Sequence, residues 1–162
     1  MVFSDASFGN VKNGGSQGGF IIFLSDETNS VTPLSWSSKR LKRVVRSTMA
    51  AETLALLEAV DGAIYLRQFI SEVLFNELSA KSIPIYCFVD NKDLCSALES
   101  SKDVNERRLR VEIQTLKDCI RNDNLFIRWV DTKNQLADVF TKTGLKSCTL
   151  LNALADGVEM YF

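Results

Sequence analysis

The hydrophobic pattern divides the chain into short apolar runs and longer amphipathic stretches. Five runs have the length and apolar content of strands: residues 1–5, 20–24, 31–37, 83–89 and 125–130. The run 20–24 is continuous, which predicts a strand buried on both faces. Pro33 lacks a backbone N–H, so we expect the third strand at a sheet edge. Short turns between the first three strands predict an antiparallel meander.

Apolar residues at helical spacing predict two long helices, one from residue 52 to about residue 74 and one over 106–121. Shorter helices are expected at 93–100, from Asn134 through 135–138, and at 149–155, where Gly157 provides the C-terminal cap. The order β-β-β-α-β-α-α-β-α contains a crossover in its middle. It predicts one α/β domain over 1–162, with a mixed sheet covered by helices.

Glu52 is the least expected residue of the first long helix. The stripe of this helix that should face the core contains Leu56, Ala59, Ala63, Leu66 and Ile70. Glu52 lies on the same stripe, at its N-terminal end. A buried carboxylate is costly unless it is paired or binds a cation. The pattern therefore indicates either a salt bridge or a metal ligand at Glu52.

Three more acids lie where an α/β chain tends to gather a site. Asp5 ends the first predicted strand, Asp90 follows an apolar strand, and Asp138 lies among apolar neighbours in a later helix. Hard cations such as Mg²⁺ prefer carboxylate oxygens, and carboxylates that meet without a cation repel one another. Each acid also has a structural interpretation: a turn residue at Asp5, a helix cap at Asp90, and a solvent-facing position at Asp138.

Composition restricts the partners of the chain. Its 19 basic and 20 acidic residues give a net charge of −1, so nucleic acid would have to bind at a local patch. Residues 39–46 contain five basic side chains, and they form either a solvated loop or a rim that faces phosphates. Directly after them, Ser47 or Thr48 is expected to cap the long helix, with its hydroxyl within reach of an anion.

The chain has no histidine, and its four cysteines are widely spaced. A zinc site is therefore not expected, and a reduced, intracellular setting is favoured over a disulfide framework. The apolar runs are shorter than a membrane span, and no signal peptide is recognised. Because the chain begins almost directly in a strand, we expect a domain excised from a longer protein.

Five motifs in order resemble the ribonuclease H domain of copia-type LTR retrotransposon polyproteins. They are SDAS at 4–7, LSWSSK at 34–39, S-T-x-x-A-E at 47–52, VDN at 89–91 and QLADVFTK at 135–142. The resemblance covers nearly the whole chain. It implies a ribonuclease H-like fold with a mixed five-stranded sheet and helices on both faces. It also implies a domain excised from a longer Pol-type polyprotein.

The resemblance further implies an activity, namely endonucleolytic cleavage of the RNA strand of RNA–DNA hybrids with two Mg²⁺ or Mn²⁺ ions. The implied catalytic and metal-binding residues are Asp5, Glu52, Asp90 and Asp138. The implied contacts to the nucleic-acid backbone are Ser47, Thr48 and Asn91. The implied partners are the hybrid and an adjoining reverse transcriptase domain, in the cytoplasm, the nucleus or virus-like particles. Such an enzyme recognises hybrid shape and 2′-hydroxyls, and it does not read sequence.

Two departures from the family keep other functions open. Many ribonucleases H carry a histidine before the last catalytic helix, and this chain has none. Where copia-type sequences often read Lys-His-Ile-Asp, residues 109–112 read LRVE. One alternative is therefore a catalytically silent ribonuclease H-like module that binds nucleic acid or a partner protein. Another is a nuclease of the same fold that acts on DNA.

Overall fold

The structure is a computed structural model that describes residues 1–28, 30–76, 80–101, 104, 106–142 and 148–158. The strands are β1 (Val2–Val11), β2 (Gly15–Ser25), β3 (Val31–Arg40), β4 (Ile85–Val89) and β5 (Leu125–Trp129). The α-helices are α1 (Thr48–Phe75), α2 (Lys92–Glu99), α3 (Arg110–Asn122) and α4 (Cys148–Asp156). A 3-10 helix, Leu136–Phe140, precedes α4.

The strands form one five-stranded sheet in the order β3-β2-β1-β4-β5. β1, β2 and β3 are antiparallel, whereas β4 pairs in parallel with both β1 and β5. The predicted mixed sheet is thus confirmed, and β3 lies at an edge as Pro33 indicated. The parallel pair β1–β4 places Phe3 near the start of β1 opposite Phe88 near the end of β4, so Asp5 and Asp90, each two residues further on, lie side by side.

Helices cover both faces of this sheet. On one face α1, α2 and α3 enclose a core that includes Leu56, Leu94 and Leu116. On the other face the 3-10 helix and α4 cover a second core, in which the ring of Phe3 stacks on Phe88 at 4.9 Å between centroids. Side chains of successive strand residues alternate between these two cores, as expected for strands buried on both sides.

Several predicted element boundaries were wrong, among them the start of β2, which lies at Gly15 and not at residue 20. β1 does not end at Asp5 but continues to Val11, because its polar residues pair with β2 through the backbone, as in Ser7 opposite Gln17. The helix expected from residue 106 begins at Arg110, after a turn over 107–109. The helix expected to start at Asn134 is instead the short 3-10 helix, whose first turn is held by the Gln135 side chain accepting from the N–H of Ala137.

Candidate active site

Asp5 lies in the middle of β1 and is only 2% exposed. The hydroxyl of Thr141 donates a hydrogen bond to its Oδ2. Its neighbour across the ladder is Gly19, where a Cβ would come within 2.6 Å of the Cβ of Phe140. A glycine is therefore required for the segment that carries Thr141 to approach Asp5. The interpretation of Asp5 as a turn residue was wrong.

Glu52 reaches the sheet because α1 begins against β1 through small side chains. Ala51 and Ala55 pack on Ala6 in a separate apolar cluster, so the helix start lies close to the strand that carries Asp5. Glu52 is 2% exposed, and its Oε2 has no hydrogen-bond partner. Within the described part of the chain it makes no ion pair, which removes the salt bridge as an explanation for its burial.

Asp90 follows β4 and is held by the segment after β5. Its carbonyl oxygen accepts a hydrogen bond from Nε1 of Trp129 at 3.1 Å. Its carboxylate Oδ2 accepts another from the hydroxyl of Thr132 at 2.8 Å. The parallel pairing of β4 and β5 makes this possible, because Val89 lies opposite Trp129. The position and orientation of Asp90 are therefore fixed from the neighbouring strand.

Three of the four predicted acids converge. One carboxylate oxygen from each of Asp5, Glu52 and Asp90 lies within 4.8 Å of the other two. Asp138 does not join this group among the described residues. Its Oδ1 instead lies 2.6 Å from Nζ of Lys142, which is also 4.0 Å from Oδ2 of Asp5. Asp138 is thus coupled to the group through a lysine, and it is not the solvent-facing residue considered from the sequence.

Burial dominates the electrostatics of the group. Burial first, and then the charges of Asp5 and Asp90, together raise the pKa of Glu52 to about 9, against a smaller opposing contribution from the amide of Ala6. Burial also raises the pKa of Asp5, although the hydrogen bond from Thr141 opposes the shift. Carboxyl groups that resist ionisation together are the arrangement that a divalent cation stabilises.

The three residues that were predicted to contact nucleic acid lie at the starts of α1 and α2. Ser47 caps α1, its Oγ accepting from the N–H of Ala50 at 3.1 Å. Asn91 caps α2, its Oδ1 accepting from the N–H of Leu94 at 3.0 Å. Thr48 is the first residue of α1 and is exposed. Their contact with a nucleic-acid backbone stays a prediction.

The sequence interpretation missed the residues that support the acids. Gln135 is 3% exposed, and its Nε2 donates to the carbonyl of Ser4 at 3.0 Å, which fastens the 3-10 helix to β1 beside Asp5. Thr141 and Lys142 lie three and four residues after Asp138, a spacing that points them to the same side of a helical turn. That spacing was the available signal, and the motif QLADVFTK contained it.

The sheet order, the helices on both faces and the acid cluster define a ribonuclease H fold, as solved structures confirm. The LC11-RNase H1 isolated from compost has a TM-score of 0.62 and 17% identity, over 86% of this chain and 90% of that one. The RNase H1 of Halobacterium salinarum NRC-1 has a TM-score of 0.58 and 18% identity, over 96% of each chain. The foamy viral protease-reverse transcriptase in complex with RNA/DNA hybrid has a TM-score of 0.59 and 13% identity, over 88% of this chain and 19% of that one.

Sequence comparison finds relatives with higher sequence identity than these solved structures have. The Ty1-NL2 and Ty1-DR6 Gag-Pol polyproteins of Saccharomyces cerevisiae are each 30% identical over 147 residues, 88% of this chain. The chain spans 8% of the length of these polyproteins. No protein-family model matches. The chain is therefore a ribonuclease H-like domain related to the polyproteins of copia-type LTR retrotransposons, as the motifs indicated. In the part of the chain that the structure describes, no helix has the length and apolar character of a membrane span.

Proposed function

We propose that this chain is a metal-dependent endonuclease that hydrolyses the RNA strand of RNA–DNA hybrids during reverse transcription of a retroelement. The observation that carries the proposal is the convergence of Asp5, Glu52 and Asp90 within 4.8 Å, with Asp138 coupled to them through Lys142. Holding buried carboxylates this close together raises the free energy of the folded protein, and a structural role alone does not offset this.

The donor set fits Mg²⁺ or Mn²⁺. It consists of carboxylate oxygens, and Oε2 of Glu52 is buried without a hydrogen-bond partner. Asp5, Glu52 and Asp90 would hold one ion, and Asp5 with Asp138 would hold a second. Two such ions activate a water and stabilise the leaving oxygen of a phosphodiester. The hydroxyls of Thr141 and Thr132 would orient Asp5 and Asp90 by the hydrogen bonds that they already donate.

The choice of substrate rests on fold and kinship. LC11-RNase H1 and the foamy viral protease-reverse transcriptase were both solved in complex with RNA/DNA hybrid. The relation to Gag-Pol polyproteins favours a setting next to a reverse transcriptase domain. The chain itself carries a net charge of −1, so we expect weak affinity for hybrid in the isolated domain and tighter binding in a longer polyprotein.

Cleavage of a labelled hybrid tests the proposal. The purified protein with Mg²⁺ should cut the RNA strand, leave duplex DNA intact and lose activity in EDTA. Asp90→Asn should abolish cleavage because it removes one charged ligand from the group. Asp93→Asn is the matched control, since this exposed acid lies three residues later on α2 and makes the same change of charge. Equal cleavage by Asp90→Asn and the unsubstituted protein would refute the proposal.

The same assay separates the competing functions. A silent module would bind hybrid without cutting it in either Mg²⁺ or Mn²⁺, and the absence of histidine together with the near-neutral charge is what keeps this candidate open. A nuclease of the same fold directed at DNA would cut duplex DNA at least as fast as hybrid. Each of these results would replace the proposed activity.

A further inference from the structure

Lys142 places an ammonium group inside the acid site. It follows the 3-10 helix, and its Nζ lies 2.6 Å from Oδ1 of Asp138 and 4.0 Å from Oδ2 of Asp5. Both acids belong to the set that the proposed function assigns to metal. Among the described residues, no other cation makes an ion pair with Asp5, Glu52, Asp90 or Asp138. The lysine therefore provides the positive charge that lies between Asp5 and Asp138.

Two further contacts keep this lysine in place. The carbonyl of Asp138 accepts hydrogen bonds from the N–H of Lys142 at 2.9 Å and of Thr141 at 3.1 Å, so the turn is closed on the acid itself. The lysine side chain, a cation at neutral pH, is thus held beside its two acids.

We propose that Lys142 is an internal counter-ion that occupies the second cation position while the site lacks metal. A divalent ion can bind between Asp5 and Asp138 only when the ammonium group moves away, since both cations would lie beside Oδ1 of Asp138 and Oδ2 of Asp5 and would repel each other. The inference rests on the proposed function, in that it assigns the two acids to a metal. It predicts unequal ion positions: a tighter one at Asp5, Glu52 and Asp90, and a weaker one where Lys142 competes.

Titration of the metal-free protein with Mg²⁺ by calorimetry, without nucleic acid, tests this competition. Lys142→Gln keeps a hydrogen-bond donor near Asp138 and removes the charge. We expect its weaker dissociation constant to fall about ten-fold, the order expected when a partly screened charge close to the ion is removed. A substitution that merely damaged the site would weaken binding, so tighter binding is specific to a competing cation.

Thermal unfolding gives a second measurement. In EDTA, Lys142→Gln should unfold at a lower temperature than the unsubstituted protein, because Asp5 and Asp138 lose their counter-ion. Addition of Mg²⁺ should raise its Tm by more than it raises that of the unsubstituted protein, since binding no longer requires the lysine to leave. Lys142→Arg should resemble the unsubstituted protein in both measurements.

Lys133→Met is the matched control. It removes one positive charge from the exposed segment beside Thr132, and it should change neither the Mg²⁺ dissociation constants nor the response of the Tm to Mg²⁺. If Lys142→Gln unfolds at room temperature, Lys142→Met replaces it, and the same titration decides. Unchanged or weaker Mg²⁺ binding in the neutral variant would overturn the inference.

The two proposals fail separately. If the unsubstituted protein cuts hybrid while Lys142→Gln binds Mg²⁺ no more tightly, the nuclease assignment stands and the counter-ion role is refuted. If Lys142→Gln binds Mg²⁺ more tightly while the unsubstituted protein cuts no hybrid, the competition stands and the nuclease assignment is refuted.

Discussion

Helix α1 buries two charged side chains that are treated in opposite ways. Near its start, Glu52 is 2% exposed and has an oxygen without a partner. Further along, Arg67 is 5% exposed, and its Nη1 donates to the carbonyls of Asp123 and Ile83. Its Nη2 also lies 3.6 Å from Oδ1 of Asp123. Among the residues that the structure describes, its Nε finds no hydrogen-bond partner.

The groups that surround each side chain indicate its role. Arg67 joins α1 to the end of α3 and to the chain that enters β4, so its burial is repaid by contacts between three segments. Glu52 faces two more carboxylates, and its neighbours add to the cost of ionising it. A buried charge with protein partners holds the fold together. A buried charge among like charges indicates a site for a cation.

The largest effect that this comparison predicts is on stability at Arg67. Arg67→Met should lower the free energy of unfolding by about 3–5 kcal/mol, the usual cost when one partner of a buried charged pair is removed. Urea denaturation in EDTA measures it. Arg121→Met is the control, because this arginine is exposed and, among the described residues, forms an ion pair with Asp118 alone, at 3.4 Å, so its loss should cost less than about 1 kcal/mol.

Glu52→Gln should act in the opposite direction in the same experiment. At pH 8 Glu52 must take up a proton when the metal-free protein folds, whereas the amide is uncharged in both states, so the variant should be at least as stable as the unsubstituted protein. A comparable loss of stability from Glu52→Gln and Arg67→Met would mean that both charges are structural, and the comparison between them would not hold.

The next largest effect is on the pH dependence of the metal-free protein. Burial raises the pKa of Glu52 from 4.5 to about 9, so between these pH values the folded protein binds a proton that the unfolded chain has released. The contribution of Glu52 to stability therefore falls as pH rises through this range. Between pH 4.5 and 7 the loss from this group is about 3 kcal/mol, at about 1.4 kcal/mol for each pH unit.

Denaturation in EDTA at several pH values measures this slope. Glu52→Gln should flatten it, and Mg²⁺ should reduce it in the unsubstituted protein, because a bound cation stabilises the ionised carboxylates. A slope that is the same in Glu52→Gln and in the unsubstituted protein would show that Glu52 ionises readily in the folded protein. The electrostatic argument for a cation site would then be wrong.

These predictions depend on several features of the structure, of which the sequence predicted some and missed others. The stripe on α1 correctly predicted that Glu52 faces the core, because helical periodicity is a local property. The position of Asp5 within β1 was missed, since backbone pairing with β2 extends the strand through polar residues that have no apolar pattern. The type of the helix that carries Asp138 was also missed, and it depends on tertiary contacts such as that between Gln135 and Ser4.

Lys142 shows the same limit most clearly. Its partner Asp138 is four residues away and could be inferred from helical spacing. Its neighbour Asp5 is distant in the sequence and is reached only through the close approach of the 3-10 helix to Gly19. A sequence can identify which residues carry charge. Which charges meet depends on how closely two segments approach, and here Gly19 makes the close approach possible.

The smallest effect concerns the support of Asp90. Thr132→Val keeps the size of the side chain and removes the hydroxyl that donates to Oδ2 of Asp90 at 2.8 Å. The residues that orient metal ligands typically contribute about 10–100-fold to metal affinity. Thr132 is exposed, so we expect the lower end, a loss of about ten-fold in Mg²⁺ affinity by calorimetry. The Tm in EDTA should not change.

Thr132→Ser is the matched control, because it keeps the hydroxyl and loses only a methyl group. It should retain the Mg²⁺ affinity of the unsubstituted protein. This pair of variants completes the contrast with Arg67, whose loss should lower stability and leave the carboxylate group intact. If Thr132→Val lowered the Tm in EDTA without weakening Mg²⁺ binding, the segment after β5 would have a structural role, and Asp90 would be oriented by β4 alone.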